Sequence, residues 1–223
     1  MFLMDSDIAI KASSYSVLDQ VIQIVAAIDQ PYMLSVAKTV ISERLHRRIK
    51  RGMPASILTH FNQHQANIQT TEPNEKEIEL AAELEESALK LKLSLDIGES
   101  QLIAIILTRG YSRLATGDKR AITAAEALFN RDNKLQHLLH KLVCLEQIIG
   151  LLASQIGALT LRSCVCASPG VDIAMAIIFS CGGGTTNAKN IAEGIQSYIG
   201  SLAAIAPNVM DASFGAAEIS TLQ

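Results

Sequence analysis

The chain has 223 residues, 49% of them hydrophobic and 18% charged, with a formal net charge of −3. That length suits one core of ordinary size, alone or with a substantial extension. The near-neutral balance excludes a globally basic nucleic-acid binder, so a nucleic-acid partner would need a local basic patch and metal ions. Met1–Ile10 has no basic n-region and places Asp5 and Asp7 inside its apolar stretch, which does not fit a signal peptide and points to a cytoplasmic protein. The later apolar stretches, Ile148–Leu161 and Ile173–Phe179, are short or broken by Ser154, Gln155 and Gly157. A spanning helix needs roughly 20 apolar residues, so no membrane partner is expected. Cys144, Cys164, Cys166 and Cys181 sit in apolar contexts without metal-ligand spacing and read as reduced, buried thiols.

Met1–Met4 is a short apolar run ending in Asp5-Ser6-Asp7, the pattern of a buried parallel strand that stops at a polar edge. Between Tyr15 and Ile28, Val17, Leu18, Val21, Ile22, Ile24, Val25 and Ile28 recur at helical spacing, and Asp29-Gln30-Pro31 closes the segment. Tyr32–Val36 reads as a second strand. Val40, Ile41, Leu45 and Ile49 mark the inner face of a helix ending near Gly52-Met53-Pro54, with Glu43, Arg44, Arg47, Arg48 and Lys50 on its other side. His60–Thr71 is polar, Gln- and Asn-rich and weakly periodic, so it reads as a loop or a loosely held helix. Thr71-Glu72-Pro73 looks like a helix start, with the helix running to about Leu93, and another helix follows Gly98 and stops at Gly110. Ser112–Thr116 reads as strand, Lys119–Phe129 as helix and Leu142–Leu145 as strand.

This alternation predicts an α/β fold: a parallel sheet with helices on both faces, whose ligand crevice lies beyond the carboxyl ends of the strands. From Cys144 to Gln223 the only basic residues are Arg162 and Lys189. Residues 1–149 are therefore expected to form the α/β domain. Residues 150–223 form a mostly helical, apolar, weakly charged extension that packs on it or makes an interface, including one between identical copies.

Asp5 follows the first strand, Glu43 lies in the helix after the second, Glu99 opens a helix after Gly98, and Asp118 follows Ser112–Thr116. All four fall near one sheet edge. Crowded carboxylates repel and raise one another's pKa, so such a cluster is stable mainly around a shared cation. Oxygen-only ligands select Mg²⁺ or Mn²⁺, ions that generate a hydroxide nucleophile and neutralise charge on a phosphodiester.

Four segments carry a family resemblance: Phe2–Asp7, Val40–Leu45, Leu95–Ala104 and Leu114–Ala121. In order and spacing they resemble the opening strand and acid, the helix-borne glutamate, the Gly-Glu helix start and the Thr-x-Asp strand end of the PIN-domain family. These are small metal-dependent ribonucleases that include the toxins of many toxin–antitoxin pairs. The resemblance covers about Met1 to Ile149. It implies a PIN-like sheet and a nuclease acting through Asp5, Glu43, Glu99 and Asp118, with Mg²⁺ or Mn²⁺ resting chiefly on Asp5, Glu99 and Asp118. Asp7 and Thr116 would be supporting neighbours. It further implies a nucleic-acid substrate, single-stranded RNA first, and an antitoxin-like protein partner. The extension after about Gly150 and the acidic helix around Glu75–Glu86 depart from the family pattern.

Each acid also has a structural alternative. Asp5 and Asp7 suit turn caps, Asp96 with Glu99 suits a capping box, Asp118 suits the N-cap of Lys119–Phe129, and Glu43 suits a solvated surface acid. Arg44, Arg47, Arg48 and Lys50 read as a patch tracking a nucleic-acid backbone, or as a solvated helix face. His60 and His64 at i, i+4, and His137 and His140 at i, i+3, have spacings that suit a transition metal, but no cysteine or acid stands at a fixed offset from them in sequence. Gly182-Gly183-Gly184-Thr185-Thr186 is not followed by Gly-Lys-Ser/Thr and reads as a turn before a Thr- or Asn-capped helix. Two rival functions stand beside the nuclease. One is an inactive PIN-like module that docks a protein through its apolar C-terminal third. The other is a phosphatase resembling the haloacid dehalogenase type, for which Gly117-Asp118 lacks the following second acid.

Overall fold

In the computed structural model, which describes residues 1–222, buried strands alternate with helices. β1 (Phe2–Met4) leads into α1 (Ser6–Ser14) and α2 (Leu18–Ala26); β2 (Pro31–Leu34) precedes α3 (Ala37–Lys50) and α4 (Ser56–His64). β3 (Gln69–Thr71) precedes α5 (Glu75–Lys90) and α6 (Ile97–Arg109), and β4 (Arg113–Thr116) precedes α7 (Lys119–Phe129). After β5 (Leu142–Cys144) come α8 (Leu145–Ile156), α9 (Ala158–Cys166), α10 (Ile173–Ile178), α11 (Ala188–Ile205) and α12 (Ala216–Ser220).

The five strands form one all-parallel sheet in the order β3-β2-β1-β4-β5, flanked by helices, as the alternation of patterns predicts. Phe2 and Leu3 stand opposite Pro31 and Tyr32 on one side, and Phe2, Leu3 and Met4 stand opposite Arg113, Leu114 and Ala115 on the other. The chain winds outward from β1 to β3, then returns to the far side of β1. The winding therefore reverses between β1 and β4, and connections leaving in opposite directions open a crevice beyond the strand ends. Asp5 follows β1 and Asp118 follows β4 at that point.

Two elements differ from the sequence pattern. α1 occupies a stretch in which Ile8 to Ser14 are all buried, Lys11 included, so it has no polar stripe to reveal a helical period. β3 lies inside the Gln/Asn-rich segment with Gln69 and Thr70 exposed and only Thr71 buried, a polar edge strand without apolar alternation. Just before it, Ile57 and Phe61 bury one face of α4 and make it a firmly packed helix. α5 begins after Asn74 rather than at Thr71, because Asn74 and Glu77 close a reciprocal capping box. Gly110 ends α6 with a φ of 66°, the left-handed conformation that glycine adopts without a Cβ penalty.

The boundary at 149/150 falls inside α8, and the extension completes the core of the sheet domain. Met210 bridges to Leu142 beside β5. Fully buried Gln147 donates from Nε2 to the carbonyls of Asp211 (2.7 Å) and Phe214 (3.2 Å), while its Oε1 accepts the Cys144 N–H. Glu126 on α7 accepts the N–H groups of Asn208 and Val209, each at 3.0 Å. Asn187 caps α11 by accepting the Asn190 N–H at 2.8 Å, the Asn-capped alternative for the helix after the triple glycine. Ile173 and Ile177 on α10 remain exposed. No helix among the described residues is long and apolar enough to cross a membrane.

The cysteine expectation is corrected for one pair. Cys166, at the end of α9, is disulfide-bonded to Cys181, with Cα atoms 5.0 Å apart, whereas Cys144 and Cys164 are free. The turn from α9 through α10 brings together residues 15 apart in sequence, a proximity that spacing alone does not encode.

On the β3 side, Glu77 is fully buried and accepts Arg109 Nε at 2.7 Å, Arg109 Nη2 at 2.5 Å and Thr108 Oγ1 at 2.6 Å. Arg109 Nη1 also donates to Thr71 Oγ1 at 2.8 Å, tying the edge strand to the α5–α6 pair. Burial alone would raise the Glu77 carboxyl, but the hydrogen bonds from Arg109 and Thr108 hold it below its usual range. Arg109→Ala strands this carboxylate in the interior, so urea unfolding should show a loss of about 3–5 kcal/mol; a loss below about 1 kcal/mol would place the pair among ordinary surface bridges.

Candidate metal centre

A cavity of about 610 Å³ opens at the switch point, with Asp5, Asp7, Asp96, Glu99 and Asp118 among its lining residues and Lys11, Arg44 and Arg120 as its cations. Three helix N-termini meet there, because Asp5, Asp96 and Asp118 are the N-cap residues of α1, α6 and α7. Their side chains are used differently. Asp96 Oδ1 accepts the Glu99 N–H and Glu99 Oε2 accepts the Asp96 N–H, both at 2.9 Å, a closed capping box. Asp118 Oδ1 accepts the Arg120 N–H at 2.8 Å, and Arg120 Nη2 binds Asp118 Oδ2 at 2.6 Å. Asp5 makes no side-chain capping bond. Its carboxylate accepts from Ser6 Oγ at 3.2 Å and Thr116 Oγ1 at 3.3 Å.

Thr116 lies between the two strand-end acids. Its Oγ1 donates to Asp5 and accepts the Asp118 N–H at 3.2 Å, so one hydroxyl joins the two strand ends. Asp7 is bound to Lys11 Nζ at 2.6 Å, and the same ammonium reaches Asp172 of the extension at 2.8 Å. A Cβ on Gly117 would lie 2.3 Å from Asp7 Oδ2, so any side chain there would push the Asp7 carboxylate from its position beside Lys11.

The structure sets Glu43 apart. On α3, Ala37, Val40 and Arg44 line the cavity, while Glu43 is exposed and outside it. A helix turns by about 100° per residue, so the neighbours Glu43 and Arg44 cannot share one direction. The same geometry splits the basic run. Arg44 faces the cavity, Arg47 and Lys50 are exposed, and Arg48 lines a different pocket beside Ala167–Val171. The acid that sequence reasoning left as a mere cap is Asp96. Its signal was there, since an N-cap acid stands at the helix end that faces the crevice. Lys11 was hidden in an unrecognised helix, and Asp172 is distant in sequence.

The charges are unevenly balanced. Burial, with the neighbouring Asp7 and Asp96 charges, raises the Asp5 carboxyl to about 6. Burial also raises Glu99, and although the Asp96 N–H opposes this, the charges of Asp96, Asp5 and Asp118 bring it to about 8. Asp118 is lowered by Arg120. Burial would depress Lys11, but Asp7 and Asp172 keep it above its ordinary value. Arg120 and Lys11 thus neutralise Asp118 and Asp7, leaving Asp5 and Glu99 without a cation of their own.

That donor set has the chemistry of a hard-cation site: carboxylate oxygens only, and negative charge in excess. It does not bring Asp5, Glu99 and Asp118 to direct-coordination distance together. Among the described residues, the triad whose ligand atoms all lie within 4.8 Å of one another is Asp19, His60 and His64, outside the cavity. Capping hydrogen bonds occupy Glu99 Oε2 and Asp118 Oδ1. The residues that would hold a hard cation here are Asp5, Asp96, Glu99 and Asp118. Comparison with protein-family models, with curated proteins and with solved structures finds no match.

The raised carboxyls fix a pH dependence. A carboxyl raised in the folded chain favours folding while protonated. Its contribution is complete below its ordinary value, 3.8 for Asp5 and 4.5 for Glu99, and is lost as pH rises through about 6 and about 8 respectively. In metal-free buffer, Asp5→Asn and Glu99→Gln should gain Tm relative to the unsubstituted chain as pH rises across that window, at roughly 2–4 °C for each kcal/mol relieved. Glutamine retains the capping acceptor. A difference that stays constant from pH 4 to 9 would mean that neither carboxyl is strained by its neighbours.

Proposed function

We propose that the chain is a PIN-like, metal-dependent nuclease that hydrolyses phosphodiester bonds in single-stranded RNA. The observation that carries this is the convergence of Asp5, Asp96, Glu99 and Asp118 on one cavity at the switch point of a parallel sheet, with Arg44 and Arg120 beside them. Asp5 would anchor Mg²⁺ or Mn²⁺, with Asp96, Glu99 and Asp118 around its water shell. When bound, the ion would supply an activated water and positive charge against the phosphate.

The protein groups divide the remaining work. Thr116 orients Asp5 through its hydroxyl. Arg44 would take a substrate phosphate, and Arg120, which now pairs with Asp118, would bind phosphate oxygens and leave Asp118 available to hold the ion. Lys11 is held by Asp7 and Asp172 and serves the wall of the cavity rather than the substrate. The N-termini of α1, α6 and α7 add partial positive charge at the place where an anion would sit. An antitoxin-like partner covering the crevice, and association of copies through exposed Ile173 and Ile177, belong to the same proposal.

The closed Arg120–Asp118 pair supports a second reading, an inactive PIN-like binding module in which that pair never opens. Cleavage assays separate the two. The purified chain should cut single-stranded RNA with Mn²⁺ or Mg²⁺, and Asp5→Asn or excess EDTA should each reduce cleavage by roughly 100-fold or more. Arg44→Ala should mainly weaken binding and lower its salt dependence. Cleavage that survives both EDTA and Asp5→Asn would eliminate this mechanism, and metal binding without cleavage across a library of RNA sequences would select the binding module.

A further inference from the structure

We propose that Asp19, His60 and His64 form a second metal site, for a transition-metal ion of the zinc class, where α2 meets α4. The two histidines lie one helical turn apart on α4, with ring centroids 4.7 Å apart. Asp19 stands in the first turn of α2, and its Oδ1 is 3.6 Å from His60 Nε2. One ligand atom from each residue lies within 4.8 Å of the other two. Tetrahedral zinc, with bonds of about 2.0–2.2 Å to nitrogen and oxygen, holds its ligand atoms about 3.3 Å apart. Closing to that spacing requires the three side chains to rotate toward one another. None of the three residues lines the acidic crevice.

A separate observation points to a ligand here. Asp19 Oδ1 is cut off from water and has no hydrogen-bond partner. A carboxylate oxygen in that position is costly unless a positive group satisfies it. Two imidazole nitrogens and one carboxylate oxygen are borderline donors, which suit Zn²⁺, Co²⁺ or Ni²⁺ rather than Mg²⁺. The three side chains are partly exposed, so an ion has a route in and water can complete its shell.

His60 has a competing task. The Leu18 N–H, at the start of α2, donates to His60 Nε2 at 3.0 Å, and the N-cap Val17 offers no side-chain acceptor. One lone pair cannot serve both partners. A single neutral hydrogen bond is weak against coordination of a zinc-class ion. Even a three-ligand site can therefore displace it. Without metal His60 caps α2; with metal it joins α2 to α4 through the ion.

The test is a titration of Co²⁺ into the metal-free full-length chain, with excess Mg²⁺ present to fill the oxygen-rich crevice. A visible absorption band should saturate at one ion per chain and disappear on addition of Zn²⁺. His64→Ala, Asp19→Asn and His60→Gln should each weaken Co²⁺ binding by roughly tenfold or more, the glutamine keeping an acceptor for the Leu18 N–H. Asp5→Asn should leave the band unchanged, so this site and the nuclease proposal fail independently. In the unsubstituted chain, Co²⁺ should broaden the ring-proton NMR signals of His60 and His64 before those of His137 and His140, a readout that needs no variant to fold. Absence of a saturating band, a band that survives Asp19→Asn combined with His64→Ala, or equal broadening of all the histidines would overturn the assignment.

Discussion

Negative charge held at the carboxyl ends of β1 and β4 is the constraint around which the fold is arranged. Parallel pairing on both sides of β1 leaves Asp5 no freedom of backbone, since its N–H is already bonded to Ala115 O at 2.9 Å. The winding reverses at the same place, so the first residues of α1 and α7 arrive there with their acids. Arg120 and Lys11 answer part of that charge. Lys11 stays protonated in a buried position because two carboxylates grip it, one of them supplied by the extension. The C-terminal third therefore helps to build the crevice as well as to cover the sheet.

A capping role and the proposed ion-holding role are compatible at this site. Glu99 and Asp118 are genuine helix caps, and the caps are what turn them toward a common space. Three helix N-termini with acidic caps concentrate both signs of charge in one cavity: partial positive charge from backbone N–H groups and full negative charge from side chains. In the proposed nuclease the first would attract phosphate and the second would hold a cation. A helix start that merely ended a fold would not need Asp5, whose carboxylate caps nothing.

The sequence made the order of strands and helices legible because β1, β4 and β5 are short apolar runs and α3 and α7 are amphipathic. It could not reveal α1, whose buried Lys11, Ser13 and Ser14 erase the contrast between faces, nor β3, whose exposed Gln69 and Thr70 look like loop. Asp5, Glu99 and Asp118 were legible as strand-end and helix-start acids. Glu43 was misplaced because its angular phase on α3 depends on how the helix packs, which spacing does not state. Asp172, Asp19 and the Cys166–Cys181 pair depend on contacts between distant segments, and one sequence contains no direct record of those.

The most direct measurement is a carboxyl ¹³C NMR titration of Asp5 and Glu99 in the intact chain, with and without Mg²⁺. Burial, joined by the negative charge at the strand ends, predicts pKa values of about 6 and about 8 without metal. Both should fall when Mg²⁺ is added, since a bound cation favours the ionised form. Ordinary carboxylate values in metal-free solution, or raised values that do not respond to Mg²⁺, would contradict it.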